Sequence, residues 1–153
     1  MNKPYLDTND RMDHYHPHAK SSLDDELLAR VRVEPRGKLL EFTVYGIDGE
    51  AMRTKDVDFT TGGNPARYRY VPNGELWVER FLPPSDVAPV YIHEGFECVT
   101  MVSAGKSYDD AHDLANAHEY GVRQAIAQGR IVIATFEDAL KFANIYLMRA
   151  FSV

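Results

Sequence analysis

The stretch Val90-Tyr91-Ile92-His93-Glu94-Gly95-Phe96-Glu97-Cys98-Val99-Thr100-Met101-Val102-Ser103, followed by Ala104-Gly105-Lys106 and then Ser107-Tyr108-Asp109-Asp110-Ala111-His112, decides the fold. Its apolar residues, among them Val90, Ile92, Phe96, Val99, Met101 and Val102, exceed what one face of a surface helix carries. Ala88 to about Ser103 therefore reads as a central helix. Gly105 suits the left-handed position just past a helix end. Ser107, with Asp110 three residues on, is a variant of the capping box and opens a second helix that runs to about Gln128, before Gly129. So short a connection makes the two helices antiparallel neighbours.

Downstream, Arg130–Thr135 contains Ile131-Val132-Ile133, a short strand or a buried linker. Thr135 with Asp138 repeats the cap pattern and opens a last amphipathic helix through Leu140, Ala143, Tyr146, Leu147 and Ala150. Upstream, the chain reads as β. Lys38–Tyr45 alternates apolar and polar residues, and Gly46-Ile47-Asp48-Gly49 is expected to turn it toward a returning segment around Ala51–Arg53. A second hairpin is expected from Tyr68–Val71 and Glu75–Val78 across Pro72-Asn73-Gly74, because Asn-Gly tolerates positive φ. Thr60-Thr61-Gly62-Gly63-Asn64-Pro65 is a loop whose paired glycines fit either a close backbone approach or a plain turn. Ser22-Leu23-Asp24-Asp25-Glu26 caps a short helix through about Val31. Residues 1–22 read as a flexible N-terminal arm. Its His14, His16 and His18 alternate and could chelate a metal weakly, but a solvated tail is the preferred reading. The expected fold class is α+β, with antiparallel β-hairpins in the first half and a helical half built on a central antiparallel helix pair. It forms one domain over residues 23–153.

Composition bounds the function. Of 153 residues 44% are hydrophobic and 26% charged, the balance of a globular chain. No apolar run approaches the roughly 20 residues that cross a bilayer. The polar opening Met1–Thr8 carries no expected secretory signal, and the single cysteine, Cys98, fits a reducing compartment, so a cytoplasmic location is expected. Net charge is -6, whereas a nucleic-acid binder usually carries a basic excess. Arg67, Arg69 and Arg80 are the nearest basic patch and acids flank them, so direct nucleic-acid binding is not expected.

The chemistry lies in the central pair. His93 and Glu97 are four residues apart and share a helix face, the spacing two ligands of one metal ion need. Glu94 lies roughly 100° around the helix, beside such an ion without binding it. In His-Glu-x-x-His zinc peptidases that glutamate is the general base; here a glutamate replaces the second histidine, and carboxylates also bind zinc. His112 and Glu119, two turns apart, share a face of the next helix. At about 1.5 Å per residue from Gly105, Glu97 and His112 lie at one level and His93 and Glu119 at another. His93, Glu97 and His112 are the expected ligands. Glu119 could be a fourth ligand, a bridge to a second ion or a group orienting a ligand, and Asn116 between them could hydrogen-bond a ligand. His118 points elsewhere and reads as structural or exposed, and Cys98 as a buried apolar residue. A His-x-x-x-Glu pair is commonly no more than a hydrogen bond. The level match argues for more, because an unpaired Glu97 in so apolar a helix would be costly.

Glu75-Leu76-Trp77-Val78-Glu79, Val90–Glu97, Met101, Gly105, Ser107–His112 and Glu119 together resemble a group of small zincin-like metallopeptidases of bacteria and bacteriophages. The resemblance covers about residues 58–120, and its most specific part is the Tyr108-x-x-Ala111-His112 element. It implies His93, Glu97, His112 and Glu119 as metal-binding positions and Glu94 as the catalytic acid/base. Val78-Glu79 stands where Ile-Asp is usual, and Gly95 and Cys98 depart from the helix pattern. Gly95 either lets a ligand or another segment approach the metal or is drift in a protein that has lost catalysis.

The leading expectation is a zinc-dependent hydrolase, zinc or another divalent metal being held by the triad and Glu94 serving as general base on a peptide or protein substrate. The hairpin edge around Trp77 could pair with an extended peptide, and Tyr108 could stabilise an oxyanion or pack the helix junction. The alternative is a non-enzymatic phage or bacterial interaction protein, an inhibitor or particle component. In that case the His/Glu cluster staples two helices and the acidic surface meets a basic partner. A di-iron centre is disfavoured because its Glu-x-x-His pairs are missing.

Overall fold

The structure, a computed structural model, describes residues 23–152. The expected arm with His14, His16 and His18 lies outside them. Four strands, the two interior ones apolar on both faces, make up the sheet. Strand β1 (Arg32–Leu39) and strand β2 (Phe42–Ile47) form an antiparallel hairpin. Strand β3 (Gly62–Gly63) and strand β4 (Glu75–Glu79) complete a four-stranded sheet of order β1-β2-β4-β3. β4 pairs parallel with β2 and antiparallel with β3. Phe42, Val44, Leu76 and Val78 point to one face and join the main core. Tyr45, Ile47 and Trp77 point to the other, into a second cluster with Val31, Met52, Phe59 and Tyr70. Strands covered on both faces leave little room for polar alternation, as the interior position of β2 and β4 requires.

The α+β expectation holds, while the hairpins sit elsewhere than expected. The first turns at Leu40-Glu41, where Leu40 takes φ 53°, so Lys38–Tyr45 spans two strands. Ala51–Arg53 belongs to a short helix, α2 (Gly49–Arg53), after α1 (Asp25–Val31) at the start of the described chain. Asp48 caps α2 by accepting from Ala51 N, which stops the Gly46–Gly49 segment from acting as a hairpin turn. Tyr68–Val71 is not a strand. Tyr68 N bonds to Asn64 O and Val71 N to Tyr68 O, the pattern of turning backbone, while both edges of β4 are taken by β2 and β3. Asn73-Gly74 still turns, with Gly74 at φ 82°, but it feeds β4 alongside β2.

Three helices follow: α3 (Pro84–Ser103), α4 (Tyr108–Ala127) and α5 (Phe136–Ala150). α3 starts earlier than its apolar pattern, because Pro84 at the first helical position gives up no hydrogen bond. Packed against β4, α4 and α5, it is buried almost all round. Gly105 and Gly129 take φ 67° and 72° past the ends of α3 and α4, as expected. Ser107 accepts from Asp110 N, and Thr135 with Asp138 forms a full capping box. Residues 130–135 are irregular and Val132 is 80% exposed, so this segment is neither a strand nor a buried linker. At Gly95 the segment that comes close is α5. A Cβ there would stand 2.7 Å from Leu147 Cδ1, so the bare backbone lets α5 pack on α3.

Candidate metal centre

Contacts across α3 and α4 run in opposite chain directions. Glu97 meets His112, His93 meets Glu119, and Asp86 meets Arg123. The helices are therefore antiparallel, and the levels match those expected from rise per residue. Glu97 Oε2 lies 2.8 Å from His112 Nδ1 and 3.2 Å from His93 Nε2, so one buried carboxylate oxygen sits between two imidazoles. His93, Glu97 and His112 each offer a ligand atom within 4.8 Å of the others. Donors sharing a tetrahedral zinc stand roughly 3.4 Å apart, so this spread fits a divalent ion with small side-chain adjustments.

Glu119 approaches His93 from the opposite ring edge. Its Oε1 is 2.9 Å from Nδ1, and its Oε2 accepts from Arg123 Nε at 2.8 Å. Of the three roles open to Glu119, this geometry matches that of a group orienting a ligand. The His93 Nδ1 contact is close but poorly aligned, leaving a buried ring nitrogen without a good hydrogen bond. Among these six side chains, from Asp86 through Arg123, Glu119, His93 and Glu97 to His112, acids and bases alternate along the seam.

Without an ion, protons hold the cluster together. Burial works against a charge on His93, but contacts with Glu119 and Glu97 outweigh it and raise its pKa to about 10. Burial likewise opposes the charge of Glu97, yet His112 and His93 bring it down to about 2. Glu94 goes the other way: burial and the Glu97 charge raise it to about 7. Two carboxylates one residue-triplet apart are thus separated in acidity by their neighbours.

Asn64 is the residue the sequence did not single out. Fully buried, it donates from Nδ2 to Glu94 Oε2 at 2.8 Å and to Glu97 Oε1 at 3.0 Å. Its Oδ1 accepts from Arg67 N, which ties the loop to both carboxylates. The glycine pair before it was the only hint. A Cβ on Gly62 would stand 3.1 Å from Glu94 Cγ and 3.0 Å from Val90 Cγ1, so of the two readings open for these glycines Gly62 takes the close approach, to α3.

His93, Glu94, Glu97, His112 and Glu119 line a cleft of about 200 Å³ between the Thr60–Gly62 rim and α3 and α4. Comparison with known proteins finds no matching family model, curated protein or solved structure.

The remaining expected residues divide. Tyr108 lines the cleft and stacks on His112, ring centres 5.0 Å apart, which supports the packing role at the helix junction. Asn116 lines the cleft from α4. Trp77 does not reach it. It sits fully buried in an interior strand, on the sheet face turned away from α3, with Nε1 donating to Glu75. The sheet edge beside the cleft is β3, so the edge expected at Trp77 is displaced there. His118 pairs with Tyr146 and packs on Phe96, a structural role. Cys98 is fully buried, and burial pushes its thiol pKa up, which keeps it unreactive. Among the described residues no helix is long and apolar enough to cross a membrane.

Proposed function

We propose that this chain is a zinc-dependent hydrolase of the small zincin-like kind that residues 58–120 resemble, acting on a peptide or protein amide bond. The observation that carries the reading is the convergence of His93, Glu97 and His112 on one centre with Glu94 beside it in the cleft. Two imidazoles and a carboxylate make up a catalytic zinc donor set. When bound, the ion supplies Lewis acidity and makes water a usable nucleophile near neutral pH. The chain's own residues do the rest. Glu94, beside the triad in the cleft, takes a proton from the attacking water and can return it to the leaving amine. Asn64 keeps the Glu94 carboxylate beside Glu97. Glu119 orients His93, and Tyr108 stacking orients His112.

A second reading has its own support. Glu97 contacts both imidazoles and Asn64 donates to both carboxylates, so the cluster can staple the helices without an ion. The chain would then be a non-enzymatic interaction protein. Glu94→Gln and His112→Ala separate the two. For an enzyme, Glu94→Gln retains zinc by elemental analysis and loses at least about 100-fold in peptide turnover, while His112→Ala loses zinc. Wild type that takes up no zinc, or turnover unchanged by Glu94→Gln, selects the staple.

A further inference from the structure

The cleft lining contains a cation that its own acids do not neutralise. Glu94, Glu97 and Glu119 all line the cleft together with Arg67, yet no carboxylate of the described residues lies within ion-pair distance of Arg67. Arg123 and Arg32, by contrast, pair with Glu119 and Glu75 at 2.8 Å. Arg67 is held instead by Tyr108, through stacking and a side-chain hydrogen bond, and by the Tyr68 ring. Its guanidinium carbon lies 4.1 Å from the Tyr108 ring centre and 5.0 Å from that of Tyr68, and its Nε is buried without a hydrogen-bond partner.

A guanidinium packed against rings keeps its planar fork fixed, and since Arg67 lines the cleft an anionic acceptor there can reach it. Leaving such a cation half-buried and unpaired is costly unless an incoming anion completes it. Its position is fixed from below as well, since the Arg67 amide donates to Asn64, the residue that holds Glu94 and Glu97. The anion site and the proposed catalytic carboxylate thus belong to one hydrogen-bonded unit. A cleft of about 200 Å³ accommodates only a few atoms beyond the reacting group, which suits a short chain end or one side chain.

We propose that Arg67 is a specificity-determining residue that takes a carboxylate of the substrate, either a free peptide C-terminus or an Asp or Glu side chain next to the scissile bond. The proposal rests on the hydrolase reading for the word substrate. Its test reads binding, so the two can fail separately. Zinc-loaded full-length Glu94→Gln protein is titrated by calorimetry with three blocked dipeptides: an acetylated one with a free C-terminal carboxylate, its C-terminal amide, and an amide carrying a glutamate side chain. Each is repeated with Arg67→Ala and Arg67→Lys added.

One of the two carboxylate probes should bind at least about tenfold tighter than the neutral amide, the worth of a charge-assisted hydrogen bond. Which one binds identifies the source of the anion. Arg67→Ala should abolish the preference, and Arg67→Lys should retain only part of it. Equal binding of acid and amide overturns the proposal even if the wild type hydrolyses peptides. A preference that survives Arg67→Ala also overturns it, because the anion then binds elsewhere. A preference that depends on Arg67 in a protein without turnover upholds the anion site and removes the hydrolase.

Discussion

Position 95 shows how one missing side chain sets a helix contact. Gly95 lies between His93 and Glu97 on a helix where alanine would be favoured by about 1 kcal/mol, yet Leu147 of α5 occupies the space its Cβ would need. Leu147 is fully buried and cannot swing into solvent. Gly95→Val should therefore destabilise the fold by about 2 kcal/mol through overpacking. A double-mutant cycle with Leu147→Ala, measured by urea denaturation, should give less than the sum of the two single effects. Additive costs would mean that α5 does not depend on the gap. Asn64 teaches the opposite lesson about legibility. Its partners are some thirty residues away in sequence, on a helix its own loop gives no sign of meeting. A buried amide in a loop has no period to betray it, whereas His93 and Glu97 declare a shared face by spacing alone.

Among the elements, the helix boundaries were readable because caps are local. Thr135 accepts from Asp138 N, and Asp138 accepts from Thr135 N. Thr135→Ala leaves the Asp138 amide unpaired and should cost about 1 kcal/mol, read as a fall in thermal midpoint. The meeting of α3 and α4 was readable for the same reason, since a four-residue link and a fixed rise leave one antiparallel arrangement. Strand pairing was harder. Tyr68, Tyr70 and Trp77 have the composition of strands, but Tyr68 and Tyr70 stack on each other 4.8 Å apart inside an aromatic cluster over turning backbone. Their hydrophobicity is spent on side-chain packing, and nothing in the local sequence distinguishes that from a ladder. The parallel pairing of β2 with β4 joins segments that no turn connects.

For the molecule as a whole, the cluster makes the metal-free protein's stability depend on pH with signs that can be worked out. Glu97 has its pKa lowered to about 2 on folding, so its contribution is present above about 4.5 and lost as pH falls toward 2. Glu94 and His93 have theirs raised to about 7 and 10. The contribution of Glu94 is complete below about 4.5 and gone above 7; that of His93 is complete below about 6.5 and gone above 10. Chelator-treated protein should therefore be most stable toward denaturant near pH 5, and His93→Gln should flatten the alkaline arm. Zinc needs both imidazoles neutral, so adding it should release protons and move the maximum upward. A zinc-independent pH profile would speak for the staple.

Gly62 leaves a wall of bare main chain facing Glu94. Any side chain there would press on Glu94 Cγ, Val90 Cγ1 and the Trp77 carbonyl at once. Whoever tries to redesign what this cleft admits will find that side of the doorway tight, since a side chain at Gly62 needs its neighbours to give way. Variety has to be introduced from the opposite jamb, at Asn116, or from the threshold at Thr60 and Thr61.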